Sequence, residues 1–210
     1  MKSFGIKALI FDYDGVIFDT LNIAWYVVKT VCDRYCKRKV KTKKEFLEVY
    51  KRNFYVAMEQ RGVSDLDMEK LKKDSIKILK TKHPKPFKNI PQTIKKLSKK
   101  YKLAVVSSNY TIIMKHALKK AGILKNFHLI VGAEHEEHKT KNIKLCLKRF
   151  KIKPSQAVFV TDTVGDIKEA KKAKLKTMAV TWGYHKKAKL LKAKPDFLVE
   201  KPEQILTILK

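Results

Sequence analysis

The sequence predicts an α/β fold: a parallel sheet sandwiched by helices, with a small α-helical domain inserted near its start. Three observations predict it. Short uninterrupted apolar runs end abruptly in polar residues, amphipathic segments of helical period separate them, and residues 18–85 replace the alternation with helical pattern alone.

Taken in order, the run from Ile6 to Phe11 is too short for an isolated helix and too continuous for a half-exposed strand, so it reads as a buried strand. It stops at Asp12-Tyr13-Asp14-Gly15, a turn. Leu21, Ala24, Trp25, Val28, Val31, Cys32 and Tyr35 then recur at i, i+3, i+4 and i+7, as do Phe46, Val49, Tyr50, Phe54 and Ala57. Asp67 is placed to cap a third helix carrying Leu71 and Leu79. Lys82-His83-Pro84-Lys85-Pro86 returns the chain stiffly, because proline cannot continue a helix, and suits a hinge. The alternation then resumes with a helix from Pro91 to Lys100 and a strand from Leu103 to Val106, which stops at Ser107-Ser108-Asn109. A helix from Thr111 to Ala121, closed by Gly122, and another near 141–150 follow. The strand from Ala157 to Val160 stops at Thr161-Asp162-Thr163 and leads into a helix over 164–173. Strands from Thr177 to Val180 and from Phe197 to Val199, and a helix over 202–209, close the series. The predicted division is a core of 1–17 and 86–210 with a helical cap of 18–85 that overhangs the sheet edge where polar residues collect.

Composition excludes several classes. With 210 residues, 44% of them hydrophobic, the chain can bury a real core, so disorder is not predicted. No stretch approaches the roughly 18 apolar residues of a membrane span, and the charged Asp12-Tyr13-Asp14 stands where a signal peptide would be apolar, so the expectation is a soluble, cytoplasmic protein without membrane partners. Cys32, Cys36 and Cys146 give no even disulfide framework and no second pair for zinc, and read as packed thiols. The formal charge of +29 should attract polyanions, nucleic acid among them, in a salt-sensitive way. With 44 Lys against five Arg, and the lysines spread over solvated helix faces, the pattern favours non-specific attraction over base reading.

Chemistry-bearing residues gather at predicted strand ends. Asp12 and Asp14 follow the first strand, Ser107 the second, and Asp162 with Asp166 a later one, while Lys139 precedes a helix. An open parallel sheet binds its ligands at this edge. Carboxylates, a hydroxyl, a lysine and strand-end amides suit phosphoryl transfer with Mg²⁺, which prefers hard oxygen ligands. Asp12 and Asp162 can supply such ligands. Ser107 with nearby backbone N–H groups can hold phosphate oxygens, and Lys139 can balance their charge.

These segments resemble the motifs of the haloacid dehalogenase superfamily, in its phosphoglycolate phosphatase-like branch with a helical cap and a Rossmann-like core. The sequence from Phe11 to Thr20 looks like the first motif and Val105-Val106-Ser107-Ser108-Asn109 like the second. Lys139, 23 residues before Asp162, looks like the third, with Lys141 a rival, and the stretch from Val160 to Asp166 looks like the fourth. The resemblance implies a phosphatase acting on a small phosphorylated metabolite such as phosphoglycolate, a sugar phosphate or a nucleotide. Asp12 would be the nucleophile and Asp14 the general acid and base. Ser107, Ser108, Asn109 and Lys139 would bind phosphate. Mg²⁺ would be held by Asp12, the Asp14 carbonyl, Asp162 and Asp166, the last directly or through water. Thr161, Val16 and Thr140 depart from frequent family choices, and Val16 also occurs in β-phosphoglucomutase-like relatives. A phosphomutase is therefore the alternative, and a polyanion-binding protein with little hydrolase activity the alternative of another class.

Other features carry less. In Glu134-His135-Glu136-Glu137-His138 the histidines are three apart rather than the four a metalloprotease helix needs, so a solvated loop is predicted. Ser107 lacks the Gly-x-Ser-x-Gly elbow of a nucleophile. Trp182-Gly183-Tyr184 reads as core packing and a turn.

Overall fold

Alternation within the first apolar run decides which residue enters which layer. In the computed structural model, which describes residues 5–135 and 138–209, Ala8–Phe11 (β1) is wholly buried and serves two cores. Leu9 and Phe11 pack with Ile90, Ile94, Met114 and Leu118 on one face; Ala8 and Ile10 pack with Ile143, Cys146 and Phe150 on the other. Side chains of a strand alternate between faces, so a strand covered on both must be apolar throughout. Leu129–Val131 (β5), Lys102–Val106 (β4), β1, Ala157–Thr161 (β6), Lys176–Val180 (β7) and Phe197–Val199 (β8) form one parallel sheet in that order. Ile90–Leu97 (α5), Thr111–Lys120 (α6), Lys139–Phe150 (α7) and Val164–Lys172 (α8) supply the covering helices, with Lys187–Lys192 (α9) and Ile205–Ile208 (α10) near the chain end. The α/β architecture is thus as predicted.

The segment between β1 and β4 folds into helices Leu21–Tyr35 (α1), Lys43–Val49 (α2), Phe54–Glu59 (α3) and Asp65–Leu79 (α4). They enclose their own core of Val28, Val31, Cys32, Phe46, Met58 and Leu71, which also touches Ala133 and Tyr184 of the sheet layer. Where the chain enters and leaves this layer, Phe18–Asp19 (β2) pairs antiparallel with Lys85–Pro86 (β3), so the two crossings lie side by side.

Local chemistry moves several predicted boundaries. The single periodic run from Phe46 to Ala57 is two helices, because Thr42 and Asn53 each accept hydrogen bonds from N–H groups of a new helix start. The cap of α4 is Ser64 rather than Asp67, which instead lies in the first turn and donates its N–H to the Ser64 hydroxyl. Strand β5, three residues long at the sheet edge, has too short a pattern to be read from sequence. Lys139 begins α7 instead of preceding it. All three cysteines are buried thiols, as predicted. Among the described residues no helix is long and apolar enough to cross a membrane.

Candidate active site

Strand register brings the candidate residues together. Phe11 stands level with Val105 on one side and Val160 on the other, so Asp12, just past the end of β1, comes out beside Val106 and Thr161, the last residues of β4 and β6, at one edge. Ser107 and Asp162, the next residues after β4 and β6, and Asp14, two residues beyond Asp12, therefore emerge at this edge. The starts of α7 and α8 add Lys139 and Asp166.

Lys139 sits at the centre, 6% exposed, with its Nζ 2.8 Å from Asp12 Oδ2 and 2.8 Å from Asp166 Oδ2. The spacing-based choice of Lys139 agrees with this geometry, for Lys141 is exposed. The second oxygen of Asp12 accepts the Tyr13 N–H at 2.7 Å. Asp166 also accepts from the Thr161 hydroxyl at 3.0 Å, and that hydroxyl in turn takes the Thr163 N–H, so Thr161 serves the site itself. Burial pushes the Asp12 carboxyl well above the usual range against the pull of Lys139. For Asp166, the Lys139 charge and hydrogen bonds from Asp12, Lys139 and Thr161 outweigh burial and hold it low. Burial also pushes Asp162 up to about 7.

Three carboxylates around one lysine leave room for more positive charge. Asp12, Asp162 and Asp166 each place an oxygen within 4.8 Å of the others. Asp162 is fully buried; its Oδ2 accepts the Tyr184 N–H at 2.6 Å, while its Oδ1 has no hydrogen-bond partner. An orphaned carboxylate oxygen at a cluster of oxygen donors fits a small, hard divalent cation.

Asp14 faces the other way. Its Oδ2 accepts from the Ser107 hydroxyl at 3.3 Å, and the same hydroxyl accepts the Asn109 N–H at 3.1 Å. Burial raises the Asp14 carboxyl, opposed by hydrogen bonding to Thr20, Ser107 and Asn109 and by the Lys139 charge. Asp14 and Ser108 line two adjoining cavities. One contains Asp12, Ser107, Lys139 and Asp166; the other runs beneath α1 and α4 and includes Asn109. Val16 lines neither, is fully buried, and offers its carbonyl to the Trp182 indole N–H at 3.1 Å. Val16 is thus a packed residue of the core beside the site.

Sequence reasoning missed several contributors. The turn Trp182-Gly183-Tyr184 does more than pack: it fixes Asp162 through the Tyr184 N–H, and the Tyr184 hydroxyl lies 2.9 Å from that of Thr20. Gly15, at φ +72°, approaches Asp162 and the Tyr184 ring so closely that a Cβ could not be placed there. Arg52 and Asn53, between α2 and α3, line the carboxylate cavity, and the nearby Tyr50 carbonyl accepts the Gly165 N–H at 3.1 Å. Only the alternation of Gly with Trp and Tyr after a strand hinted at the first group, and nothing at the second. Of the acidic-histidine run, Glu136 and Glu137 lie outside the described residues. Glu134, His135 and His138 are exposed, and Glu134 accepts the Thr111 N–H at the start of α6.

Comparison with known proteins agrees with the architecture. The family model for haloacid dehalogenase-like hydrolases matches residues 9–180. The chain is 29% identical to a phosphoglycolate phosphatase of Aquifex aeolicus, with 97% of each chain covered. It is 26% identical to pyrophosphatase PpaX of Bacillus velezensis, over 97% of this chain and 96% of that one. A solved haloacid dehalogenase-like hydrolase from Streptococcus pneumoniae superposes with a TM-score of 0.79 at 22% identity, covering 98% of this chain and 99% of its own.

Proposed function

The chain belongs to the haloacid dehalogenase-like hydrolase family, and on that premise we propose that it is a Mg²⁺-dependent phosphatase of a small phosphomonoester. The observation that carries this reading is the convergence of Asp12, Asp162 and Asp166 around the buried Lys139, with Asp14 turned toward Ser107 beside them. The names of the phosphoglycolate phosphatase and pyrophosphatase relatives support a small phosphorylated substrate.

Asp12, the Asp14 carbonyl, Asp162 and Asp166 would hold Mg²⁺. When bound, the ion neutralises phosphate charge and keeps Asp12 ionised. Lys139, the Ser107 hydroxyl and the N–H groups of Ser108 and Asn109 hold the phosphate oxygens. An Asp12 oxygen attacks phosphorus and the bond to the leaving oxygen breaks as Asp14 delivers its proton to that oxygen. Asp14, now a carboxylate, takes a proton from water as the water attacks phosphorus, and the bond to Asp12 breaks to release inorganic phosphate. Raised by burial, Asp14 is suited to carrying the proton that the first step needs. Residues 18–85 act as a cap over a core of 1–17 and 86–210, excluding water while closed and hinging at the paired β2 and β3 crossings.

The test is phosphate release from a panel of small phosphomonoesters with Mg²⁺ or with chelator, alongside Asp12→Asn. Metal-dependent release absent from the variant is expected; equal release by both proteins would overturn the assignment of Asp12.

A further inference from the structure

The cavity beneath α1 and α4 meets the carboxylate cavity at Asp14, Tyr50, Phe54 and Ser108. On the phosphatase reading, on which this inference rests, Asp14 protonates the leaving oxygen. The leaving alcohol must then lie beyond Asp14 from the phosphate, which is where this cavity begins.

Its walls on the α1 and α4 sides are mainly apolar, and Tyr50, Tyr55, Tyr110, Ser108 and Asn109 complete the lining. Ile23, Val27 and Val28 of α1 face Leu71 and Leu79 of α4 across about 90 Å³. Although 49 of the 210 residues are Lys or Arg, Lys72 is the only one among the described residues that line it. Lys72 is already matched: its Nζ lies 2.6 Å from Glu69 Oε1 and 5.6 Å from the centre of the Tyr55 ring. Arg52 and Lys139 line the carboxylate cavity and not this one. The Ser75 hydroxyl, on the same wall, is buried with no hydrogen-bond partner. Such an orphan is costly in a finished core and is satisfied by a ligand's polar atom.

We infer that the substrate is the phosphate ester of an uncharged, largely apolar alcohol no larger than about a single ring. A carboxylate or a second phosphate on the leaving group would enter this cavity without an unmatched cation to meet it, at the desolvation cost of a buried charge. Phosphoglycolate and pyrophosphate, the substrates in the names of two relatives, both carry such a charge. This chain therefore keeps their phosphate chemistry and differs in what it releases.

The experiment compares kcat/KM for ethyl, butyl and 2-phenylethyl phosphate with that for phosphoglycolate and pyrophosphate, in the wild type and in Ile23→Lys. Ile23 is half-buried, so a lysine there can reach the cavity while its stem stays packed. In the wild type, kcat/KM is expected to rise about fourfold per buried methylene, with the neutral esters at least about tenfold above both charged substrates. In Ile23→Lys the ratio of phosphoglycolate to butyl phosphate should rise about tenfold or more. Calorimetric binding of benzylphosphonate against phosphonoacetate to the wild type gives a readout independent of turnover, and benzylphosphonate should bind more tightly. Brisk hydrolysis with the charged substrates preferred, or a ratio unmoved by Ile23→Lys, would overturn the inference and leave the phosphatase standing. Tighter benzylphosphonate binding without hydrolysis of any ester would uphold the cavity's chemistry and overturn the phosphatase.

Discussion

Replacing Lys139 by methionine removes a charge while nearly keeping the side-chain length. The Nζ that is lost lies 2.8 Å from both Asp12 and Asp166, all three residues being buried. Breaking a buried ion pair by removing one partner costs about 3–5 kcal/mol, because the surviving charge stays in a poorly solvating site. The carboxylates can escape that cost by keeping a proton. Their folded pKa values rise in the variant, the native state then binds more protons than the unfolded chain, and stability falls as pH rises above the unfolded value of about 4. Between pH 8 and pH 6 the deficit relative to wild type should therefore shrink, by up to about 1.4 kcal/mol per pH unit for each carboxylate that keeps its proton. Urea denaturation of both proteins at the two pH values, without divalent metal, reads this directly. In parallel, kcat/KM with Mg²⁺ should fall about 10²–10³-fold, while Lys141→Met, at an exposed position, should change stability by less than about 0.5 kcal/mol. A deficit below about 1 kcal/mol that is the same at both pH values would refute the view that Lys139 neutralises this cluster.

Asp14→Asn should lower turnover about 10²–10⁴-fold with its melting transition and benzylphosphonate binding preserved, and a loss under about tenfold would remove Asp14 from proton transfer. Gly183→Ala would press a methyl group against the Asp162 carboxylate and the Gly15 carbonyl. It should cost about 1–3 kcal/mol and raise the Mg²⁺ concentration needed for half-maximal activity, and a wild-type Mg²⁺ titration would show that Asp162 is not displaced. His185, 1% exposed, lies with Nε2 2.9 Å from the Leu47 carbonyl and accepts the Val164 N–H at Nδ1. Burial holds its pKa below the usual histidine value, so the unfolded chain binds the extra proton. Its contribution is complete above about pH 6.5 and is lost as pH falls toward its folded pKa. His185→Gln should flatten the pH dependence of stability over that window, and an unchanged slope would contradict the neutral assignment.

Much of the site was legible because phosphoryl chemistry uses few residue types and a parallel sheet puts them at predictable strand ends. Asp12 and Asp14 follow an apolar run, Ser107 follows another, and Asp162 and Asp166 straddle the start of a helix. Position along the chain was enough to nominate them. Support for those residues was not legible: Tyr184 reaches Asp162 across 22 residues and Thr20 across 164. A hydrogen bond of that sequence separation leaves no periodicity to read. Helix boundaries near Thr42, Asn53 and Ser64 turned on single capping side chains, which hydrophobic spacing does not report.

The sequence by itself determined the layers and nominated the residues of the candidate site, since burial on two faces demands continuous apolar strands and the polar residues collect at their ends. Spacing favoured Lys139 over Lys141, and tertiary structure shows the physical reason, as one helix buries the first in the cluster and leaves the other exposed. Tertiary structure alone decided that in a chain of charge +29 the cavity adjoining Asp14 has a single lysine and no arginine among its described lining residues. That space belongs to no single segment: it exists only where two amphipathic helices turn their apolar faces toward a strand end more than 25 residues away from the second of them.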